Sequence, residues 1–106
     1  MLANIDIEKV LFLDIETVPE YPLYNDAPER FQKLWDKKSK SFTPEGETSA
    51  DVYNRAGIYA EFGKIVCISV GFLKRTTEGL VLRITSFAND DETVLLNEFT
   101  GLLNKH

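Results

Sequence analysis

Two apolar runs rich in β-branched residues, KIVCISVGFLK (64–74) and GLVLRITSFA (79–88), are separated only by RTTE (75–78). Each run has the composition of a strand. A parallel pair needs a crossover of a dozen or more residues, so a connection this short makes the two strands an antiparallel hairpin. That hairpin anchors every other expectation about the fold.

A third run, residues 9–15 of KVLFLDIETVP, is continuously apolar up to its acidic residues and is bounded by Pro19. It reads as a strand covered on both faces. A polar loop, EYPLYNDAP, follows, in which Asp26 is expected to cap a helix with Pro28 in its first turn. Phe31, Leu34 and Trp35 recur at i, i+3 and i+4, the spacing of one buried helical stripe, and the helix is expected to end near KKSKSF. TPEGE is turn-like, and TSADVYNRAGIYAEFG reads as a second, weaker helix stopped by Gly63. Residues 20–63 thus form a long insertion between strands, of the kind that serves a site or covers a face. In NDDETVLLNEFTGLLNK, Asn89 and Glu92 have the spacing of a capping box, and Leu95, Phe99, Leu102 and Leu103 give the helix one apolar face. The expected fold is α/β: a three-stranded antiparallel sheet in the order third, second, first, with the final helix on one face.

At 106 residues and 43% hydrophobic, the chain is expected to form a single domain (1–106) with one core. The net charge of −5 repels nucleic acid and anionic membranes, so any polyanion site has to be local and metal-neutralised. The single cysteine, Cys67, lies in a strand-like run, which suits a small core side chain and a reducing compartment. MLANIDIEK lacks a basic leader region, and no apolar run approaches the roughly 18 residues that span a bilayer. A soluble cytoplasmic protein without a membrane partner is expected.

Asp14 and Glu16 carry the chemistry. Alternate residues of a strand share a face, so the two carboxylates project together from α-carbons roughly 6.5 Å apart. Two like charges about 5 Å apart cost roughly 3 kcal/mol at an effective dielectric of 20, and FLDIETVPEY offers no Lys or Arg to offset that cost. A hard divalent cation is the economical compensation, since Mg²⁺ favours one or two carboxylates plus waters and phosphate oxygens.

FLDIETVP resembles the first motif of the DEDD-type 3′–5′ exonucleases of the ribonuclease H-like superfamily, in particular the group related to the proofreading domain of family-B DNA polymerases. EFGKIVCISVGF is similar to that group's second strand, entered through Gly63 and Lys64. The order strand, insertion, strand, strand, helix agrees along the whole chain, while only the first motif is specific. The resemblance implies that Asp14 and Glu16 are catalytic ligands of two Mg²⁺ or Mn²⁺ ions, with Asp14 bridging, and that the substrate is the 3′ end of single-stranded DNA or RNA. It also implies that Thr17 and Val18 lie against the terminal nucleotide; the residues alone equally allow Thr17 simply to end a strand.

Departures from the family are as informative. Its second and third motifs each supply a further Asp, and the third a Tyr or His general base; nothing here fills those positions. His106, the only histidine, has no downstream Asp partner. The chain therefore reads as the amino-terminal part of an exonuclease domain, ending before the fourth strand and inactive alone. Its first strand is then expected to be an exposed edge through which the chain self-associates.

Bland readings apply elsewhere. Lys37, Lys38 and Lys40 read as a solvated helix end complementing the macrodipole, and Phe31, Leu34 and Trp35 as core instead of a stacking platform. Two rival functions remain: a non-catalytic nucleic-acid or protein interaction module on the same fold, and a haloacid-dehalogenase-like phosphatase. The second fits less well, because Glu16 stands where its D-x-D-x-T motif has Asp, Thr17 follows directly, and its sheet is parallel.

Overall fold

The computed structural model describes residues 4–105. The main elements are β1 (Leu11–Pro19), α1 (Glu29–Ser39), β2 (Gly63–Thr76), β3 (Gly79–Ala88) and α2 (Glu92–Lys105). The sheet is three-stranded and antiparallel in the order β1-β2-β3, as the sequence predicts. The chain divides into two compact units, Met1–Glu16 with Ile65–His106, and Thr17–Lys64.

In the first unit, the β2–β3 register runs from Thr76↔Gly79 at the turn to Cys67↔Ala88. Gly79 takes φ +111°, a region that side chains avoid, so the tight turn needs glycine there. The Thr76 hydroxyl accepts from the Glu78 amide (3.2 Å) and donates to the Gly79 carbonyl (3.0 Å), closing the same turn. Ile68, Val70 and Leu95 form the buried centre, with Ile65, Phe87, Phe99 and Leu102 packed around them. Burying Leu95 alone contributes about 1.5–3 kcal/mol. Leu103 departs from expectation at 45% exposed: it stands off the stripe that Leu95, Phe99 and Leu102 turn to the sheet. Cys67 is half-buried, outside that centre.

The start of α2 differs from the expected capping box. Asp91, not Asn89, accepts from the helix amides, those of Thr93 (3.0 Å) and Val94 (3.4 Å). Asn89 instead accepts from the Asp91 amide (2.8 Å), shaping the approach to the helix. Glu92 serves the sheet: its carboxylate accepts from the Ile65 amide (2.6 Å), beyond the point where β3 ceases to pair with β2.

β1 is found where the apolar run predicts a strand, but it extends through Pro19 and is not covered on both sides. Residues 11–18 are all exposed, with Phe12 at 49% and Leu13 at 50%. The physical reason is its place at the edge of the sheet, with α2 packed on the centre formed by β2.

The second unit is built around Trp35, which is fully buried. Val52, Tyr53, Ala56 and Phe62 complete its core, and Tyr24, Phe31, Phe42 and Tyr59 pack around it. Rings meet mostly edge-on, as for Trp35 and Tyr53 (5.8 Å, 89°) and Trp35 and Phe62 (5.2 Å, 73°), the geometry that aromatic quadrupoles favour. The buried indole N–H donates to the Ser49 carbonyl (2.8 Å), so the large ring is buried without an orphaned donor. Tyr24 donates to Asp36 (2.7 Å), which also accepts from the Ser49 hydroxyl. That hydrogen bond, with burial second, raises the Tyr24 pKa, and burial raises that of Tyr53.

Three expectations for this unit are corrected. Asp26 lies in a 3₁₀ turn, Tyr24–Asp26, and the cap position of α1 is taken by Pro28, whose extended backbone leads into the helix. Leu34 is 52% exposed: the buried stripe of α1 runs through Trp35 and Ser39, with Phe31 at its margin. The second helix shrinks to a six-residue 3₁₀ segment, Tyr53–Ile58. Val52, Tyr53, Asn54 and Gly57 are all weak helix formers, and Gly57 is engaged by backbone from another part of the unit.

Candidate functional site

β1 presents Asp14 and Glu16 at alternate positions, hence on one face, and both are exposed. Neither is ion-paired among the described residues. The strand does not end at the carboxylates, as the sequence suggests, but carries them in mid-course.

Asp14 lines a hollow with Phe12, Ser69, Gly71, Leu82 and Ile84. β2 turns Ile68 and Val70 toward α2, so its alternate residues Ser69 and Gly71 occupy the opposite face of the sheet. There the Ser69 and Ser86 hydroxyls share a hydrogen bond (2.8 Å). A methyl group added to Gly71 would sit 3.6 Å from Leu82 Cδ1 and 3.7 Å from Ile84 Cγ1 and would fill the floor between these aliphatic walls. The hollow thus combines one anionic group, the Ser69 hydroxyl and apolar walls. The spacing of residues along the chain did not single out these neighbours of Asp14. The signal available was the small pair Ser69 and Gly71 at alternate positions in an otherwise bulky strand.

Thr17 and Val18 are held by the Thr17–Lys64 unit. The Thr17 hydroxyl donates to the Gly57 carbonyl (2.6 Å). A Cβ on Gly57 would approach Val18 C to 3.0 Å and Pro19 N to 3.2 Å, and one on Gly63 would meet the Gly57 oxygen at 2.7 Å. The Glu20 amide donates to the Phe62 carbonyl (2.9 Å). Backbone therefore packs directly on backbone along residues 17–20, and only glycine at 57 and 63 leaves room for it. Gly63 was expected to stop a helix; it opens β2 and makes this close approach.

Among the described residues, no group of three or more His, Cys, Asp and Glu side chains is gathered closely enough to hold a metal ion. The candidate ligands, Asp14 and Glu16, are two carboxylates on one face of β1. Two carboxylates with waters suit one hydrated Mg²⁺ or Mn²⁺ ion and fall short of the ligands that a two-ion centre requires. His106 lies outside the described residues. Among the described residues no helix is long and apolar enough to cross a membrane. Comparison with protein-family profiles, with curated proteins and with solved structures yields no match to this chain.

Proposed function

We propose that the chain is the amino-terminal part of a metal-dependent 3′–5′ exonuclease of ribonuclease H-like fold, acting on single-stranded DNA or RNA in the cytoplasm. The observation that carries this reading is the placement of Asp14 and Glu16. Both lie on one face of an edge strand, exposed and without a cationic partner among the described residues. Divalent ions in such a centre supply an activated water and stabilise the leaving 3′-oxygen. The chain's own contribution is to hold the two carboxylates on a hydrogen-bonded strand, and Thr17 and Val18 are the residues that the resemblance assigns to the terminal nucleotide. The hollow beside Asp14 offers a ligand apolar walls and the Ser69 hydroxyl.

Two of the four carboxylates of a complete site have no counterpart among the described residues, so this chain alone is inactive in this reading. The free edge of β1 is the position that a fourth strand takes in a complete ribonuclease H-like domain. A second reading, a non-catalytic interaction module, is favoured by the same two-ligand donor set. The antiparallel hairpin weighs against a phosphatase.

Mn²⁺ titration with and without a single-stranded oligonucleotide tests the proposal. Reciprocal linkage requires the oligonucleotide to tighten Mn²⁺ binding if both meet at Asp14 and Glu16. Unchanged Mn²⁺ affinity on adding the oligonucleotide favours the interaction module. A second arm extends the chain through the family's second and third motifs: that longer protein degrades a 3′-labelled strand, and loses this activity in Glu16→Ala.

A further inference from the structure

We infer that the solvent face of α1 binds the phosphodiester backbone of single-stranded nucleic acid. At about 100° per residue, the side of the helix opposite buried Trp35 and Ser39 carries Arg30, Lys33, Lys37 and Lys40, with exposed Leu34 among them. Residues 29–40 hold five basic and two acidic side chains, a local excess of +3 in a chain of net −5. The two acids do not neutralise the row. Asp36 turns to Tyr24 and Ser49, and Glu29 pairs with Lys33 (3.2 Å) in a pair mostly open to solvent, where such contacts count for little. Arg30, Lys37 and Lys40 have no ion pair among the described residues. Lys38 is engaged apart from the row, with Glu61 (3.6 Å) and over the Tyr59 ring (4.8 Å).

Complementing the helix dipole accounts for cations in the last turn only. Arg30 stands in the first turn of α1, where the dipole disfavours positive charge, and Lys33 lies outside the last turn that the dipole favours. A ligand of opposite charge explains the whole row. From Arg30 to Lys40 the helix advances about 15 Å, the length of roughly four nucleotides of stacked strand at about 3.4 Å each. Four cations therefore face about four phosphates. Leu34 lines two shallow hollows, one with Glu29, Arg30, Lys33 and Lys37 and the other with Phe31, Lys37, Lys38, Glu61 and Phe62, and offers apolar surface to sugars or bases. The choice of nucleic acid over an acidic polypeptide rests on the exonuclease reading.

The test is fluorescence anisotropy of the 106-residue chain with a labelled oligothymidylate of about 12 nucleotides, in EDTA so that Asp14 and Glu16 play no part. Wild type is expected to bind with a slope of log K against log salt near −3, from about 0.7 per phosphate contact. Arg30→Gln/Lys37→Gln should flatten the slope by about 1.4 and weaken binding at least tenfold at low salt, with an unchanged circular dichroism spectrum because Gln is a comparable helix former. No binding by wild type, an unchanged slope in the double variant, or equally tight binding of polyglutamate overturns the inference, the last reassigning the face to an acidic polypeptide. Mn²⁺ titration of the same proteins keeps the readings apart. Salt-dependent oligonucleotide binding by a wild type that binds no Mn²⁺ sinks the exonuclease reading and leaves this surface standing.

Discussion

The Thr17 hydroxyl donates to the carbonyl of Gly57, forty residues further along the chain, at 2.6 Å. This bond ties the segment just after the carboxylate pair to a 3₁₀ turn whose own backbone lies against Val18. Thr17→Val should cost about 1 kcal/mol by leaving that carbonyl without its donor, while Thr17→Ser should be nearly neutral. Gly63→Ala should cost more, about 1–3 kcal/mol, because its methyl group would collide with the Gly57 oxygen at 2.7 Å, a backbone atom that cannot swing aside. Urea denaturation followed by circular dichroism ranks the three; a Gly63→Ala protein as stable as wild type contradicts the backbone packing.

Asp14 and Glu16 should bind Mn²⁺ or Mg²⁺ in the millimolar range, about −4 kcal/mol, since two carboxylates supply few ligands. Asp14→Ala should abolish the binding. Calorimetry or paramagnetic relaxation showing equal Mn²⁺ uptake in wild type and Asp14→Ala places any site elsewhere. The same 106-residue chain should leave a 3′-labelled oligonucleotide intact; turnover that disappears in Glu16→Ala would show the two-carboxylate site to be sufficient.

Alkaline pH should destabilise the Thr17–Lys64 unit. Tyr24 and Tyr53 both have pKa values raised above 10.0 in the fold, Tyr24 chiefly by its hydrogen bond to Asp36 and Tyr53 chiefly by burial. Raised values mean that the folded state holds its protons longer than the unfolded one. The associated stability is complete below the unfolded pKa and declines as pH rises through the folded values. Thermal melts from about pH 9 to 11 should show this decline, and it should be shallower in Tyr24→Phe. Parallel curves for the two proteins would remove Tyr24 from the account.

The unpaired edge of β1 should draw chains together. Its exposed run from Leu11 to Leu13 carries none of the lysines or prolines that blunt natural edges. Light scattering over a concentration series is expected to show self-association, most simply as a two-fold pair, and Leu13→Lys should suppress it. A strictly monomeric wild type at high concentration refutes this.

The hairpin was legible in the sequence because its determinants are local: two β-branched runs, a connection too short for a crossover, and Gly79 at the turn. The carboxylate pair was legible for the same reason, since alternation alone sets Asp14 and Glu16 on one face. What lies beside Asp14 was not. Ser69, Gly71, Leu82 and Ile84 reach it through strand pairing, and no tight turn linking β1 to β2 encodes their register in advance. The cap of α2 shifted from Asn89 to Asp91 because Asn89, Asp90 and Asp91 are all competent caps, and Glu92 was drawn away by the Ile65 amide. The helix expected before Gly63 gave way to a contact from far along the chain, between Gly57 and the backbone of Val18.

Trp35 is the chain's single tryptophan and lies at the centre of the Thr17–Lys64 aromatic cluster. Indole emission therefore reports on that unit alone, while the far-ultraviolet signal of the sheet and α2 is dominated by the other. The protein carries its own pair of optical probes. Denaturation curves that superimpose in the two channels would mean that both units unfold in one cooperative step. Separated midpoints would mean that the carboxylate-bearing strand can lose one of its two structural supports while the other persists.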